Sequence, residues 1–524
     1  MRSARLIDAV RAITRRRRLA YALVAVVVVA VVALPARELS ADNDADARPT
    51  IPKYALRINI TPLPISRPIP SAFVGFSIEY RSLLPYSGRN PASPNPTFIQ
   101  LVRALTPGGS PVIRFGGDTT DWTWWPTPGV SKPPGIRYTL NARWVSMARA
   151  TAHAMGARLI LGINFEADDP AIAATEARAL LKGLGRKLIA GFELGNEPEA
   201  YGALGWYDTA GGVSVPGRPV TYGFGSYLRD YAAISSALPH GVPLVGPASG
   251  APAWIAGLNR YLGANPRVRL VTFHRYPLHR CFTPPGSPTS PTIPHLLSRD
   301  ASVGPAASLQ GAVAVAHRRG LQFRVDELND VSCGGARGVS NTFASALWVL
   351  DALFNMAKVG ADGVNIHTFT DAVYGPFTFA GAGGRWEAHV KPMYYGLLMF
   401  ARAAPAGSRL LLAEAPGRPN LRVWAARARD GTIRIVLIND ARNRAITVAV
   451  RSPGASAAGT LERLRAPGLR ATAHVAIAGQ TFGARTATGE LSGSSTRATL
   501  HPIQDRYVVQ LPPASAALIT LARS

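Results

Sequence analysis

Two carboxylates carry the strongest chemical signal in this chain. Glu197 closes the run Gly191-Phe192-Glu193-Leu194-Gly195-Asn196-Glu197-Pro198-Glu199, in which apolar residues read as a strand and stop at Asn-Glu-Pro. Glu327 lies 130 positions further on, at the end of a second strand-like run, Phe323-Arg324-Val325-Asp326-Glu327-Leu328-Asn329. Two carboxylates on separate strand ends are what hydrolysis of a glycosidic bond needs. One protonates the leaving oxygen and the other attacks the sugar carbon. Strand ends are also where (β/α)₈ barrel enzymes keep their catalytic groups.

Other motifs fit around this pair. Arg114-Phe115-Gly116-Gly117-Asp118-Thr119-Thr120-Asp121-Trp122-Thr123-Trp124-Trp125 ends another strand. Its Gly-Gly lets backbone approach a ligand closely. Its tryptophans offer flat faces to sugar rings, or else pack as ordinary core. In Val271-Thr272-Phe273-His274-Arg275-Tyr276-Pro277, His274 and Tyr276 alternate and so point to one side of a strand. A Tyr276 hydroxyl there would hydrogen-bond the nucleophile and hold it ionised. Orientation of a neighbour suits His274 better than proton transfer. The ten histidines are scattered, and the closest pairs, such as His274 and His279, lack a Cys or acidic partner at metal-ligand spacing. No Gly-x-Ser-x-Gly elbow and no Walker loop is present.

The elements that position these groups alternate along the chain. Eight strand-like runs are Phe73–Glu79, Pro111–Phe115, Arg158–Asn164, Ile189–Leu194, Val242–Gly246, Arg269–His274, Gln322–Glu327 and Gly363–His367. Ala- and Leu-rich helices lie between several of them, most clearly Trp144–Met155, Ala171–Leu184, Ser308–Arg319 and Asn341–Val359. That pattern predicts an α/β fold, a closed (β/α)₈ TIM barrel over residues 71–400. No Gly-x-Gly-x-x-Gly turn follows the first strand, which weakens a nucleotide-binding open sheet. Beyond about Phe400 short strands such as Leu421–Ala426, Ile433–Asn439, Ile446–Arg451, Val475–Ile477 and Tyr507–Leu511 take over, with Asp430-Gly431 as a hairpin signal. Residues 401–524 therefore read as a C-terminal all-β sandwich. The strand within residues 54–70 has no helix after it and is expected to cross over and join that sandwich.

A chain of 524 residues is too long for one compact core, so two folded domains are expected. Arg15 to Arg18 followed by the unbroken apolar run Leu19 to Leu34 has the form of an export signal. Sixteen apolar residues are short of the ~20 of a spanning helix. Without a clean Ala-x-Ala cleavage site, residues 1–40 read as a signal peptide or as an uncleaved membrane anchor through residues 19–34. Either places the remainder outside the cytoplasm, secreted or held at the cell surface, beyond the polar linker 41–53. The net charge of +26 falls to +20 without residues 1–40. Only six of the 57 basic residues are Lys, and no basic run occurs outside the N-terminus, so a nucleic-acid partner is not expected. The two cysteines, Cys281 and Cys333, each follow a candidate strand. In an exported chain they suggest one disulfide between loops at the active-site rim, against two buried free thiols.

Together, Gly75-Phe76-Ser77-Ile78-Glu79, Arg114–Asp121, Glu193–Pro198, His274-Arg275-Tyr276 and Glu327–Gly335 resemble the heparanase and β-glucuronidase family, glycoside hydrolase family 79. The C-terminal run Tyr507–Ile519 is similar to the last strands of that family's sandwich. The resemblance spans roughly residues 54–522. It implies a barrel with a β-sandwich and hydrolysis with retention, using no metal and no cofactor. It implies Glu197 as acid/base, Glu327 as nucleophile, Asn196 on the sugar 2-OH, and Glu79 on other hydroxyls, with Asp118 among the sugar contacts. It also implies that the uronic carboxylate is read after the nucleophile by Gly334 and Gly335 and, after the eighth strand, by Tyr374. Where that family has a Tyr after the nucleophile, this chain has Ser332-Cys333, a departure that bears on glucuronate specificity. Ser332 would replace the missing hydroxyl. The expected substrate is a carbohydrate: a β-glucuronide cut from its end, with a neutral-sugar glycoside or an internally cut acidic polymer as alternatives. A non-catalytic carbohydrate-binding protein of the cell surface would need neither carboxylate.

Overall fold

The computed structural model describes residues 50–522 except 282, 383, 455 and 456. The basic block, the apolar run 19–34 and most of the linker lie outside the described residues. Among the described residues no helix is long and apolar enough to cross a membrane.

Eight parallel strands close into a barrel: Val74–Glu79, Val112–Gly116, Arg158–Ile163, Ile189–Leu194, Leu244–Ser249, Val268–Arg275, Gln322–Leu328 and Gly363–Thr368, the eighth pairing with the first. Most of these strands are buried along nearly their whole length, as expected where helices cover the outside and side chains fill the inside. Local chemistry sets the helix ends. Asp169 accepts hydrogen bonds from Ala171 and Ile172 amides at the start of helix Pro170–Leu184. Helix Ala142–Met155 starts on Asn141 and stops at Gly156, whose φ of 67° suits glycine. One helix is longer than its sequence pattern suggests: Arg299–Arg318 runs through Pro305. The carbonyl that Pro305 leaves unbonded, that of Ala301, accepts Trp348 Nε1–H at 2.9 Å instead.

Ten further strands form one sheet. Leu56–Pro64 lies inside it, antiparallel to Arg409–Glu414 and parallel to Ile446–Arg451. The edge strand Tyr507–Leu511 also meets Ile433–Asn439 and Ser515–Leu521 from the other half, so the sheet curls back on itself. Alternation divides its side chains. Ile58, Leu437, Val448, Val509 and Ile519 fill a core within the curl. Leu410, Val436, Ile438 and Leu518 join the barrel's core. The seam is aromatic: Phe354, from the helix Phe343–Val359, stacks on Trp424 at 5.3 Å, and Trp424 Nε1–H donates to Asp351 at 2.7 Å. Burying each such side chain contributes ~1.5–3 kcal/mol. Residues from Ile51 onward accordingly make one compact unit. A hairpin that the sequence pattern did not announce, Phe377–Ala382 with Arg385–Val390, follows the eighth barrel strand.

Candidate active site

The seventh barrel strand carries Glu327, and its ladder is irregular there. Val325 pairs with Val364 and Leu328 with Ile366, so two residues oppose one. This bulge breaks the alternation that would separate Asp326 from Glu327. Both carboxyls reach Arg114 of the second strand: Glu327 Oε2 lies 2.8 Å from Nη1 and Asp326 Oδ2 lies 3.3 Å from Nε. Arg114 has no exposure at all. Its guanidinium also donates to Glu193 Oε2 at 2.5 Å, Ser77 Oγ at 3.0 Å and Asn196 Oδ1 at 2.9 Å. A buried cation left unpaired would be strongly destabilising, and here each edge of the fork has an acceptor.

Glu327 is held ionised. Tyr276 donates its hydroxyl to Oε1 at 2.6 Å, and Nδ1 of His367 and of His274 lie 3.5 and 4.0 Å from Oε2. Burial alone would raise the carboxyl's pKa. The charges of His367, His274 and Arg114 and the Tyr276 hydrogen bond outweigh it and bring the pKa down to about 2. Asp326 goes the other way. Burial, then the neighbouring Glu193, pushes it well above the usual carboxylate range. Glu193 is pulled down, its burial outweighed by Arg114, and also accepts from Thr272 at 2.9 Å.

Glu197 follows the fourth strand with its backbone in the left-handed region, φ 48°. Its N–H donates to the Ala248 carbonyl at 2.9 Å, which helps to hold the conformation. The side chain is 35% exposed, enough for substrate to reach it. Its Oε1 lies 2.9 Å from His274 Nδ1, and His274 Nε2 in turn faces Asp326 at 3.6 Å. Donor atoms of Glu197, His274 and Glu327 all fall within 4.8 Å of one another. Among the described residues this is the one group of carboxylates and histidines gathered closely enough for a metal ion. Its atoms are already committed, Glu327 to Arg114 and Tyr276 and Glu197 to His274.

The sugar-contact candidates line the adjoining wall. Glu79, at the end of the first strand, accepts from the Thr119 amide at 2.8 Å and from the Thr119 hydroxyl, and its Oε1 lies 3.5 Å from His367 Nε2. Asn196 spans Arg114 and Asp118, with Nδ2 3.4 Å from Asp118 Oδ1. Asp118 is open to the water of the cavity. The protein around it, then the carboxylates Glu79, Glu197 and Glu327, push its pKa upward. Asp121 is spent on structure: it accepts the amides of Phe165, Glu166 and Asn196 and the Tyr201 hydroxyl.

Cys281 and Cys333 form a disulfide with Cα atoms 6.3 Å apart, beyond the paired sixth and seventh strands. The loop it ties down turns through Cys333, Gly334 and Gly335, with φ of 59°, 82° and 89°. Gly335 packs directly on Tyr374, since a Cβ there would come within 2.8 Å of the Tyr374 amide nitrogen. Val373 N–H donates to the Gly334 carbonyl at 2.8 Å. The Tyr374 ring lies 6.3 Å from Tyr276 and 6.0 Å from His367, both of which face Glu327. Like Gly334, Gly335 and Tyr374, Ser332 makes no described hydrogen bond to a carboxylate. Its hydroxyl lies 3.3 Å from His279 Nδ1.

Four site residues escaped the sequence reading: Arg114, Glu193, Asp326 and His367. For Glu193 the available signal was spacing, because it stands four residues before Glu197 inside an apolar strand. For Arg114 it was a lone charge between Ile113 and Phe115.

No protein-family model matches the chain. A β-glucuronidase of Neurospora crassa is 25% identical over 437 residues, covering 74% of this chain and 75% of its own. A β-glucuronidase of Aspergillus niger is 23% identical over 411 residues, covering 71% and 72%. Among solved structures, a 4-O-α-L-rhamnosyl-β-D-glucuronidase of Fusarium oxysporum matches with a TM-score of 0.67 at 20% identity, over 89% of this chain and 100% of its own. At that identity the likeness concerns the fold.

Proposed function

We propose that this chain is a retaining, exo-acting β-glucuronidase of the glycoside hydrolase family 79 type, with Glu197 as acid/base and Glu327 as nucleophile. One observation carries the reading. An oxygen of Glu197 lies within 4.8 Å of one of Glu327, while Glu327 is held ionised at the bulge. Retaining enzymes keep their carboxyl groups ~5–5.5 Å apart, and inverting enzymes ~6.5–9.5 Å apart to admit a water. In the first step Glu327 Oε attacks the anomeric carbon, Glu197 gives its proton to the glycosidic oxygen, and the leaving group departs. In the second, Glu197 takes a proton from water, whose oxygen attacks the anomeric carbon and releases Glu327. His274 positions Glu197, and Arg114, Tyr276 and His367 position Glu327. The similarity to two fungal β-glucuronidases supports a uronide substrate. Gly334, Gly335 and Tyr374 are the groups we assign to its carboxylate, since a buried charge needs several donors. The apolar N-terminal run supports export.

An aryl β-glucuronide and the corresponding β-glucoside test this together. The glucuronide should be the better substrate, and Glu197→Gln should lower kcat by ~10²–10⁴-fold, the contribution of general acid–base catalysis. A preference for the glucoside would move the assignment to a neutral-sugar glycosidase. Internal cuts in an acidic polysaccharide would replace exo action by endo action.

A further inference from the structure

The catalytic groups occupy the ends of the barrel strands, and a cavity of about 270 Å³ opens at their beginnings, on the opposite face. The mechanism uses none of it. Arg158 and Gln322 are the first residues of the third and seventh strands, Arg269 and Arg324 lie just inside the sixth and seventh, and all four line the cavity. Arg186 stands beside Arg158: Arg186 Nη1 and Arg158 Nη2 both donate to the Ile189 carbonyl, at 2.8 and 3.0 Å. Two guanidinium groups thus converge on one oxygen. Arg324 is 5% exposed and donates to Asn365 Oδ1 at 2.6 Å and to the Ala72 carbonyl at 2.7 Å. Arg269 donates to the carbonyls of Pro266 and Val268. Among the described residues the bonds of all four arginines end on main-chain carbonyls or on Asn365, none on a carboxylate. A guanidinium carries five N–H donors, so most of the donors are unspent. Burial pushes Arg324 down to about 10, the charges of Asp326 and Asp362 offsetting it only in part. Asp362, the carboxylate in the wall, spends Oδ2 on His317 Nε2 and on the Phe323 N–H, both at 2.8 Å.

Guanidinium groups gathered in a partly enclosed space repel one another. A barrel mouth built for stability alone would pair them, as Arg114 is paired at the catalytic end. We propose that this cavity is an anion site for a phosphate or sulfate group, held by Arg158, Arg269 and Arg324 with Arg186 beside them. The planar fork of each guanidinium matches two oxygens of such a group, and Gln322 can add an amide donor. The volume lies just below the ~300–1,000 Å³ of sites for larger ligands and admits a small oxyanion with a few waters of ~30 Å³ each. The anion arrives either free or as the end group of a larger ester; the chemistry recognised is the same. The site does not depend on the glycosidase reading above.

Titration calorimetry of the full chain with inorganic phosphate, balanced by chloride at constant ionic strength, should show one saturable site per chain. Phosphate should also raise the melting temperature. Arg158→Gln with Arg269→Gln, both at exposed positions, should lower the affinity at least about 10-fold and abolish that rise, since even one hydrogen bond to a charged group contributes this much. Arg418→Gln with Arg442→Gln, exposed in loops of the ten-stranded sheet, removes the same charge and should leave phosphate binding unchanged. Phenyl phosphate separates the two sources. Affinity like that of inorganic phosphate marks a site for the end group of an ester, and failure to bind beside good phosphate binding marks a site for the free anion. Phosphate and sulfate binding no better than matched chloride would overturn the proposal. So would equal losses in the two double variants, which would reduce the effect to net charge. A cavity variant much less stable than the parent without phosphate would make these arginines structural and overturn it as well. Glycosidase activity is not the readout, so failure here leaves the catalytic assignment untouched, and the reverse.

Discussion

Removing the Tyr276 hydroxyl isolates one contact to Glu327. That hydroxyl donates to Glu327 Oε1 at 2.6 Å, while Oε2 is served by Arg114 at 2.8 Å. Tyr276→Phe keeps the ring, its packing against Tyr374 and the Arg114 bond. A hydrogen bond to a charged group contributes ~1.5–3 kcal/mol, a factor of roughly 10–150. The bond also lowers the Glu327 pKa, after the larger effects of His367, His274 and Arg114. The variant should therefore lose roughly 10–150-fold in kcat/KM on an aryl β-glucuronide. The Glu327 pKa should rise from about 2, moving the acid limb of the pH profile toward neutrality. Steady-state kinetics between pH 3 and 8, with a thermal melt to confirm folding, measure both. A folded variant with kcat/KM within about twofold of the parent and an unmoved acid limb would refute the account of how Glu327 is held ionised.

Three further outcomes follow from the same geometry. Tyr374→Phe should lower activity on a β-glucuronide by roughly 10–150-fold and have little effect on the β-glucoside, the carboxylate being the only difference; equal losses on both would make Tyr374 a general support. Cys333→Ser should raise KM for glucuronides and reduce stability by ~2–4 kcal/mol in urea titration, because the bridge pins the Gly334–Gly335 turn; an unchanged KM would detach that turn from substrate binding. Because the Glu327 pKa is depressed by folding, its contribution to stability is present above the unfolded value, ~4.5, and is lost as pH falls through about 2. The stability of the parent relative to Glu327→Gln should thus shrink by about 3 kcal/mol between pH 6 and pH 2, against a pH-independent difference if the carboxylate were not stabilised.

Much of the barrel was legible because its strands are short apolar runs separated by amphipathic helices, and Glu197 and Glu327 stood out as charges where those runs stop. What stayed hidden depends on contacts between distant segments. Asp326 should by alternation face away from Glu327, and only the bulge against the eighth strand brings both to Arg114. Arg114 itself has meaning only beside Glu193, Asp326 and Glu327, from two other strands. Pro305 concealed the first turns of its helix, since the bond that compensates for it comes from Trp348 in another helix. The sheet strand Gly459–Arg465, reading Gly-Thr-Leu-Glu-Arg-Leu-Arg, has its charge interleaved with its apolar residues. Glu462 is nevertheless buried against Arg402 of the barrel helix Pro392–Ala403, a pairing no local pattern announces.

The central claim is hydrolysis in two displacements through Glu327. Proton NMR of an aryl β-glucuronide during the first minutes of reaction reads the anomer released before mutarotation. The account predicts β-glucuronic acid first, with the α anomer growing in later; α-glucuronic acid as the first product would contradict it.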